Sequence, residues 1–109
     1  MPAAIEKILY LYREQLENVS EGHIKRLILY GSYARGDFNP DSDIDVMVLV
    51  DLDDSDLRSC EKKICDTTYD FNMEHETEIM PVVQNVSHFD RWKNVYMFYH
   101  NVEKEGVAI

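Results

Sequence analysis

Ile5, Ile8, Leu9, Tyr12, Leu16 and Val19 recur at helical spacing, so residues 3–19 read as an amphipathic helix with Gly22 as its stop. The pattern then changes. Ile24 to Tyr30 (IKRLILY) is short, apolar and followed by glycine, as suits a buried strand. Residues 32–35 fit one helical turn closed by Gly36, and 37–42 (DFNPDS) are dense in turn residues, with Pro40 barring a regular continuation. From Asp43 to Val50 (DIDVMVLV) the period is two. Ile44, Val46, Val48 and Val50 point to one face of a strand, and Asp43, Asp45, Met47 and Leu49 to the other.

An acidic stretch, 51–56, then opens a weaker helix with Ser55 as its cap. Leu57, Cys60 and Ile64 carry that helix to about Asp66. Residues 73–83 (MEHETEIMPVV) form a third strand candidate that ends near Pro81. Ser87 to Glu105 reads as one strong helix. Ser87 and Asp90 resemble a capping box with Asp in place of Glu, and Phe89, Trp92, Val95, Tyr96, Tyr99 and Val102 form its apolar stripe. Gly106 ends it, and Val107-Ala108-Ile109 add a short edge strand. The order is helix, strand, turn, strand, helix, strand, helix. That order predicts an α+β arrangement, a small sheet with helices packed against it.

Composition narrows the picture. The 109 residues are 45% hydrophobic and carry no repeat, low-complexity tract or linker, so residues 1–109 read as a single domain. No apolar run approaches a membrane span, and the amino end has neither a basic region nor a signal core, which points to a cytoplasmic protein. Cys60 and Cys65, five apart on the weaker helix, read as reduced packing thiols. His23, His75, His88 and His100 match no zinc spacing. The tyrosines at 10, 12, 96 and 99 lie on helices and suit packing better than base stacking. The net charge of −10 argues against a free nucleic acid as partner, because phosphate contacts need Lys and Arg. An acidic protein still accepts a polyanion where metal ions intervene.

The segment Gly31 to Val50 has that chemistry. Gly31 lets the backbone approach a ligand closely and turn sharply after a strand. Ser32 brings a hydroxyl and an N–H to the start of a helical turn, an arrangement suited to the outer phosphates of a nucleotide. Ten residues later, Asp43 and Asp45 share one strand face, where both carboxylates can bind the same hard cations. A pair of Mg²⁺ ions about 3.5–4 Å apart can clamp the attacking and leaving oxygens of a phosphoryl transfer.

This segment resembles the nucleotidyltransferase signature GS-x10-DxD. It is most similar to the minimal nucleotidyltransferase (MNT) proteins, with the local pattern GSxARGxxxxxSDxDxxV. Gly31, Ser32, Ala34, Arg35, Gly36, Ser42, Asp43, Asp45 and Val48 all fit it. The resemblance implies the nucleotidyltransferase fold, a small mixed β-sheet with helices packed against it, over nearly the whole chain. It implies two Mg²⁺ ions, ATP as substrate, and a third carboxylate on the next strand. Glu74, Glu76 and Glu78 are expected on one face of that strand; Glu78, three positions before Pro81, is favoured and Glu76 is the alternative. The family more often has Asp there. Asp43, Asp45 and Glu78 would then hold metal and carry catalysis, with Gly31, Ser32, Arg35 and Ser42 on the nucleotide side. Arg35 either steadies a phosphate or the acidic loop, or makes a surface salt bridge. Ser42 would bond to backbone and shape the approach to the strand.

Larger nucleotidyltransferases add a helical domain that binds the acceptor, and this chain offers little beyond the core. Either a partner protein recognises the acceptor, or the chain self-assembles into a homo- or hetero-oligomer that completes the cleft; the resemblance favours a partner. MNT proteins often occur with a helical HEPN-type RNase toxin. In the best understood pairing the MNT antitoxin transfers AMP to a tyrosine hydroxyl of the toxin. The resemblance therefore implies a protein adenylyltransferase acting on a HEPN partner. The alternatives are an antitoxin that masks its partner by contact alone, and transfer to a small molecule such as an aminoglycoside.

Overall fold

The computed structural model describes residues 2–109. Helix α1 (Ala3–Ser20) leads into strand β1 (Ile24–Tyr30), the single turn α2 (Ser32–Arg35) and strand β2 (Ile44–Val50). Helix α3 (Asp54–His75) crosses to strand β3 (Ile79–Asn85), which runs straight into α4 (Val86–Trp92). Helix α5 (Met97–Glu105) and the short strand β4 (Val107–Ala108) close the chain. The sheet order is β3-β2-β1-β4. β1 pairs antiparallel with β2 and with β4, whereas β2 and β3 are parallel, so the sheet is mixed. A parallel pair needs a long crossover, and α3 supplies it.

The alternation along β2 divides the molecule in two. Ile44, Val46, Val48 and Val50 are buried with Leu27 and Leu29 of β1 against Leu9, Tyr12 and Leu16 of α1 and Ile64 and Phe71 of α3. On the other face Met47 and Leu49 join Ile28, Phe89 of α4, and Tyr99 and Val102 of α5 in a smaller cluster. Asp45 shares that second face and lies past the edge of its cluster, near the amino end of β2.

Four expected elements differ. Helix α3 runs to His75, nine residues past Asp66. Thr68 and Phe71 continue its buried side after Cys60 and Ile64. Thr68 looks polar, but its hydroxyl donates to the Ile64 carbonyl (2.7 Å) and contacts the Tyr12 hydroxyl at 2.6 Å, so it serves as a satisfied core position. Strand β3 accordingly starts at Ile79 and not at 73, and it continues through Pro81 to Asn85. Proline is tolerated because β3 is an edge strand with β2 as its one partner. The expected single helix 87–105 is two helices. The N–H groups of Val95 and Tyr96 both donate to the Trp92 carbonyl, which turns the chain and leaves Val95 and Tyr96 exposed. The cap of α4 is Asn85, whose side chain accepts from the His88 N–H at 2.8 Å, in place of a Ser87 box. Likewise Asp53, not Ser55, stands at the cap position of α3, and α1 stops at Ser20 with Glu21 already left-handed (φ 54°) ahead of Gly22.

Candidate active site

The site forms where β1 hands over to α2 beside the start of β2. Gly31, between them, has φ 75° and ψ −154°, a region open essentially to glycine alone. Its neighbour is the reason. A Cβ at position 31 would collide with Asp45 Oδ2, and would lie 3.3 Å from Asp45 Cγ. The glycine therefore leaves room for the carboxylate to rest against the backbone turn. Ser32 follows as the first residue of α2, whose leading N–H groups have no acceptor within the helix. The carbonyls of Gly31 and Ser32 each accept two N–H groups, from Ala34 and Arg35 and from Gly36 and Asp37, which lock the turn.

The loop between α2 and β2 is held by its own side chains. The Ser42 hydroxyl accepts from the Asn39 N–H at 2.9 Å, and Asn39 Oδ1 accepts from the Asp41 N–H at 2.9 Å. Ser42 thus bonds to backbone and braces the loop that leads to Asp43. Phe38 stacks flat on Tyr33 of α2, centroids 4.4 Å apart, and ties the loop to the turn. Arg35 reaches Asp37 Oδ2 at 3.2 Å and Glu105 Oε2 at 3.4 Å, bridging α2, the loop and the end of α5. Arg35 thus makes exposed ion pairs, and its positive charge also acts on Asp45.

Asp43 is exposed and flanks the strand, which begins one residue later at Ile44. Asp45 is half-buried. Burial, then the like charge of Asp43, push the Asp45 carboxyl above the usual aspartate range, against a smaller opposing pull from Arg35. Two carboxylates crowd one face, and a cation is what such a pair lacks. Their hard oxygens suit a divalent ion that also meets phosphate oxygens, so Asp43 and Asp45 fit the metal that the motif implies.

The third carboxylate is a different matter. Glu74 lies in α3 and Glu76 is its left-handed cap (φ 54°), so neither shares a strand face with Glu78. Glu78 is exposed one residue before β3, and its carbonyl accepts from the Ile44 N–H at 2.9 Å, which sets it beside Asp43. Among the described residues no three His, Cys, Asp or Glu side chains gather closely enough to hold a metal ion. The residue across from Asp45 on β3 is Met80, and the one across on β1 is Tyr30.

Tyr30 escaped the sequence reading, which saw only the end of an apolar strand. Its ring packs edge-on against Phe98 of α5, centroids 5.6 Å apart. Burial and the charge of Asp45 raise its hydroxyl to about 12, so it stays protonated beside the carboxylates. The antiparallel register of β1 on β2 creates this neighbour, and nothing in the local motif signals it. Cys60 and Cys65 are free thiols, Cys60 buried in packing as expected and Cys65 exposed on the solvent side of α3, and partial desolvation raises both. His23 pairs with Asp51 at 2.7 Å and His88 with the Tyr99 hydroxyl at 3.1 Å. No helix among the described residues is long and apolar enough to cross a membrane.

Comparison with known proteins bears on the family. A family model described as a nucleotidyltransferase domain matches residues 12–98. A relative from Methanocaldococcus jannaschii, named "Putative protein adenylyltransferase MJ0604", is 32% identical over 102 residues, covering 93% of each chain. A second from the same organism, "Putative protein adenylyltransferase MJ0141", is 39% identical over 46 residues, covering 42% of this chain and 46% of the relative.

Proposed function

The chain belongs to the nucleotidyltransferase domain family, and we propose that it is a Mg²⁺-dependent protein adenylyltransferase acting on a helical HEPN-type toxin. In this reading a hydroxyl oxygen of the partner attacks the α-phosphorus of ATP. The new oxygen–phosphorus bond replaces the one to pyrophosphate, which leaves, and the hydroxyl proton is released. Asp43 and Asp45 would hold the divalent ion, whose chemistry is to neutralise phosphate charge. Gly31 and Ser32 would receive the triphosphate at the turn, and Arg35 and Ser42 would keep that turn and the carboxylates in register.

The single observation that carries the reading is the contact between Gly31 and Asp45. It sets the glycine turn against Asp45 across the loop that joins α2 to β2. The names of the two relatives support protein as acceptor, and the charge of −10 suits a basic, RNA-binding partner surface. Among the described residues no third ligand clusters with the pair, which favours a second reading, an antitoxin that masks its partner by contact.

One variant separates the two. Asp43→Asn/Asp45→Asn keeps the side-chain shapes and leaves Ile44, Val46, Val48 and Val50 to hold the strand. Transfer, followed as the mass of one AMP added to the partner, should fall on the order of 10²-fold or more, the scale of losing a charge-stabilising group from an active site. Association with the partner should persist and toxicity should return. Full growth rescue by the variant, with the partner unmodified, retires the catalytic reading.

A further inference from the structure

The sheet register places a different limit on the chemistry than the motif does. Asp45 points from the middle of three paired strands, and side chains across from it lie about 4.8 Å away along the hydrogen-bonding direction. Across on β1 stands Tyr30, across on β3 stands Met80, and both lie on the same face as Asp45. A phenol is neutral at ordinary pH, and a thioether is a soft donor that does not suit Mg²⁺. The sulfur side chain is not tucked away for packing, since Met80 is 52% exposed. Glu78 lies two residues before Met80, in the segment that precedes β3, where its carbonyl accepts from the Ile44 N–H and sets it beside Asp43. Glu74 and Glu76 belong to α3 and its cap.

A hard divalent ion takes about six oxygen ligands. Asp43, Asp45 and phosphate oxygens can meet that demand for one ion together with water. A second ion about 3.5–4 Å from the first needs further oxygen ligands beside Asp45, and the β3 position paired with Asp45 is 80. We propose that Met80 sets the metal stoichiometry of this site, so that the chain takes its nucleotide with one divalent ion instead of two. The inference rests on the nucleotide-binding reading above, and it replaces the expected pair of ions. Met80 is then the position that decides whether a second ion would bind beside Asp45.

The test counts ions and does not depend on transfer. Mn²⁺ is titrated into the full chain with one equivalent of a non-hydrolysable ATP analogue, and free Mn²⁺ is read by its electron paramagnetic resonance signal. The wild-type complex should hold one ion and Met80→Asp two, while Met80→Leu should stay at one. Met80→Glu serves as a second carboxylate variant should Met80→Asp fail to give a cooperative thermal transition. Two ions in the wild type would overturn the inference and return the role to Glu78. One ion in both carboxylate variants would overturn it as well. A wild type that binds neither analogue nor ion, and equals Asp43→Asn/Asp45→Asn in this assay, would instead defeat the transferase reading on which the inference stands.

Discussion

The two faces of the sheet are made from the same strands and do opposite things. On the α1/α3 face every position is filled: Tyr12, Leu16, Val46, Val48, Ile64 and Phe71 are each no more than 1% exposed. On the α4/α5 face Met47 and Leu49 are buried, but the same row ends in Asp45, and Met80, Val82, Tyr96 and Phe98 remain open to solvent. One face holds the fold together and the other carries the candidate site. A period-two strand allows this because alternate side chains answer to different neighbours. The closed face tolerates a charged, partly desolvated pair on the reverse side, since the strand does not rely on Asp43 and Asp45 for burial.

That contrast is open to attack from both sides. The largest effect belongs to the closed face. Phe71→Ala should cost about 3–5 kcal/mol of stability, as a large core truncation does, whereas Phe98→Ala on the open face should cost under about 1 kcal/mol. Urea unfolding of the two variants measures the difference, and similar losses would mean that the open face is structural too. Gly31→Ala comes next. A side chain at that φ and ψ should cost about 1–3 kcal/mol, and it should also push Asp45 aside, so transfer falls while the cores remain. Thermal melts and a transfer assay on one preparation check both parts.

Tyr12→Phe probes a single buried bond. The Tyr12 hydroxyl is 2.6 Å from Thr68 Oγ1, and its loss should cost about 1 kcal/mol, since Thr68 keeps its bond to Ile64. The smallest effect has the opposite sign. Asp45 holds its proton more tightly in the folded chain than the ordinary aspartate value of 3.8 would give. Its charge therefore opposes folding at neutral pH, and that penalty is lost as pH falls toward 3.8 and below. Asp45→Asn should raise the Tm slightly at neutral pH without divalent ions, and the gap should close on acidification. A gap that is constant with pH would show that the charge is not its cause.

The parts of the site that lie close in sequence were legible at once. The glycine turn, Ser42 and the Asp43/Asp45 pair all follow from local rules of turns and strand alternation. The long first helix and the first two strands were equally plain, because each has one strong hydrophobic period. The end of α3 was hidden because Thr68 is polar by type and becomes a core residue only when Tyr12 meets its hydroxyl. The break at 93–96 was hidden because Val95 and Tyr96 continue a helical stripe that the chain then turns out to solvent.

Sequence by itself therefore determined the family, the turn and the two carboxylates, since each depends on residues within a few positions of one another. Tertiary structure alone decided what stands across from Asp45. With α3 ending at His75 and β3 beginning at Ile79, parallel pairing puts Met80 opposite Asp45 and leaves Glu78 beside Asp43. A shift of one residue in that register would turn β3's side chains to the other face. No local pattern in MEHETEIMPVV sets the register. It is set by the length of the crossover helix, by Asn72, whose side chain accepts from the Ile79 N–H at 3.0 Å and donates to the Ile79 carbonyl at 3.1 Å, and by the burial of Ile79 and Val83 against the α3 face.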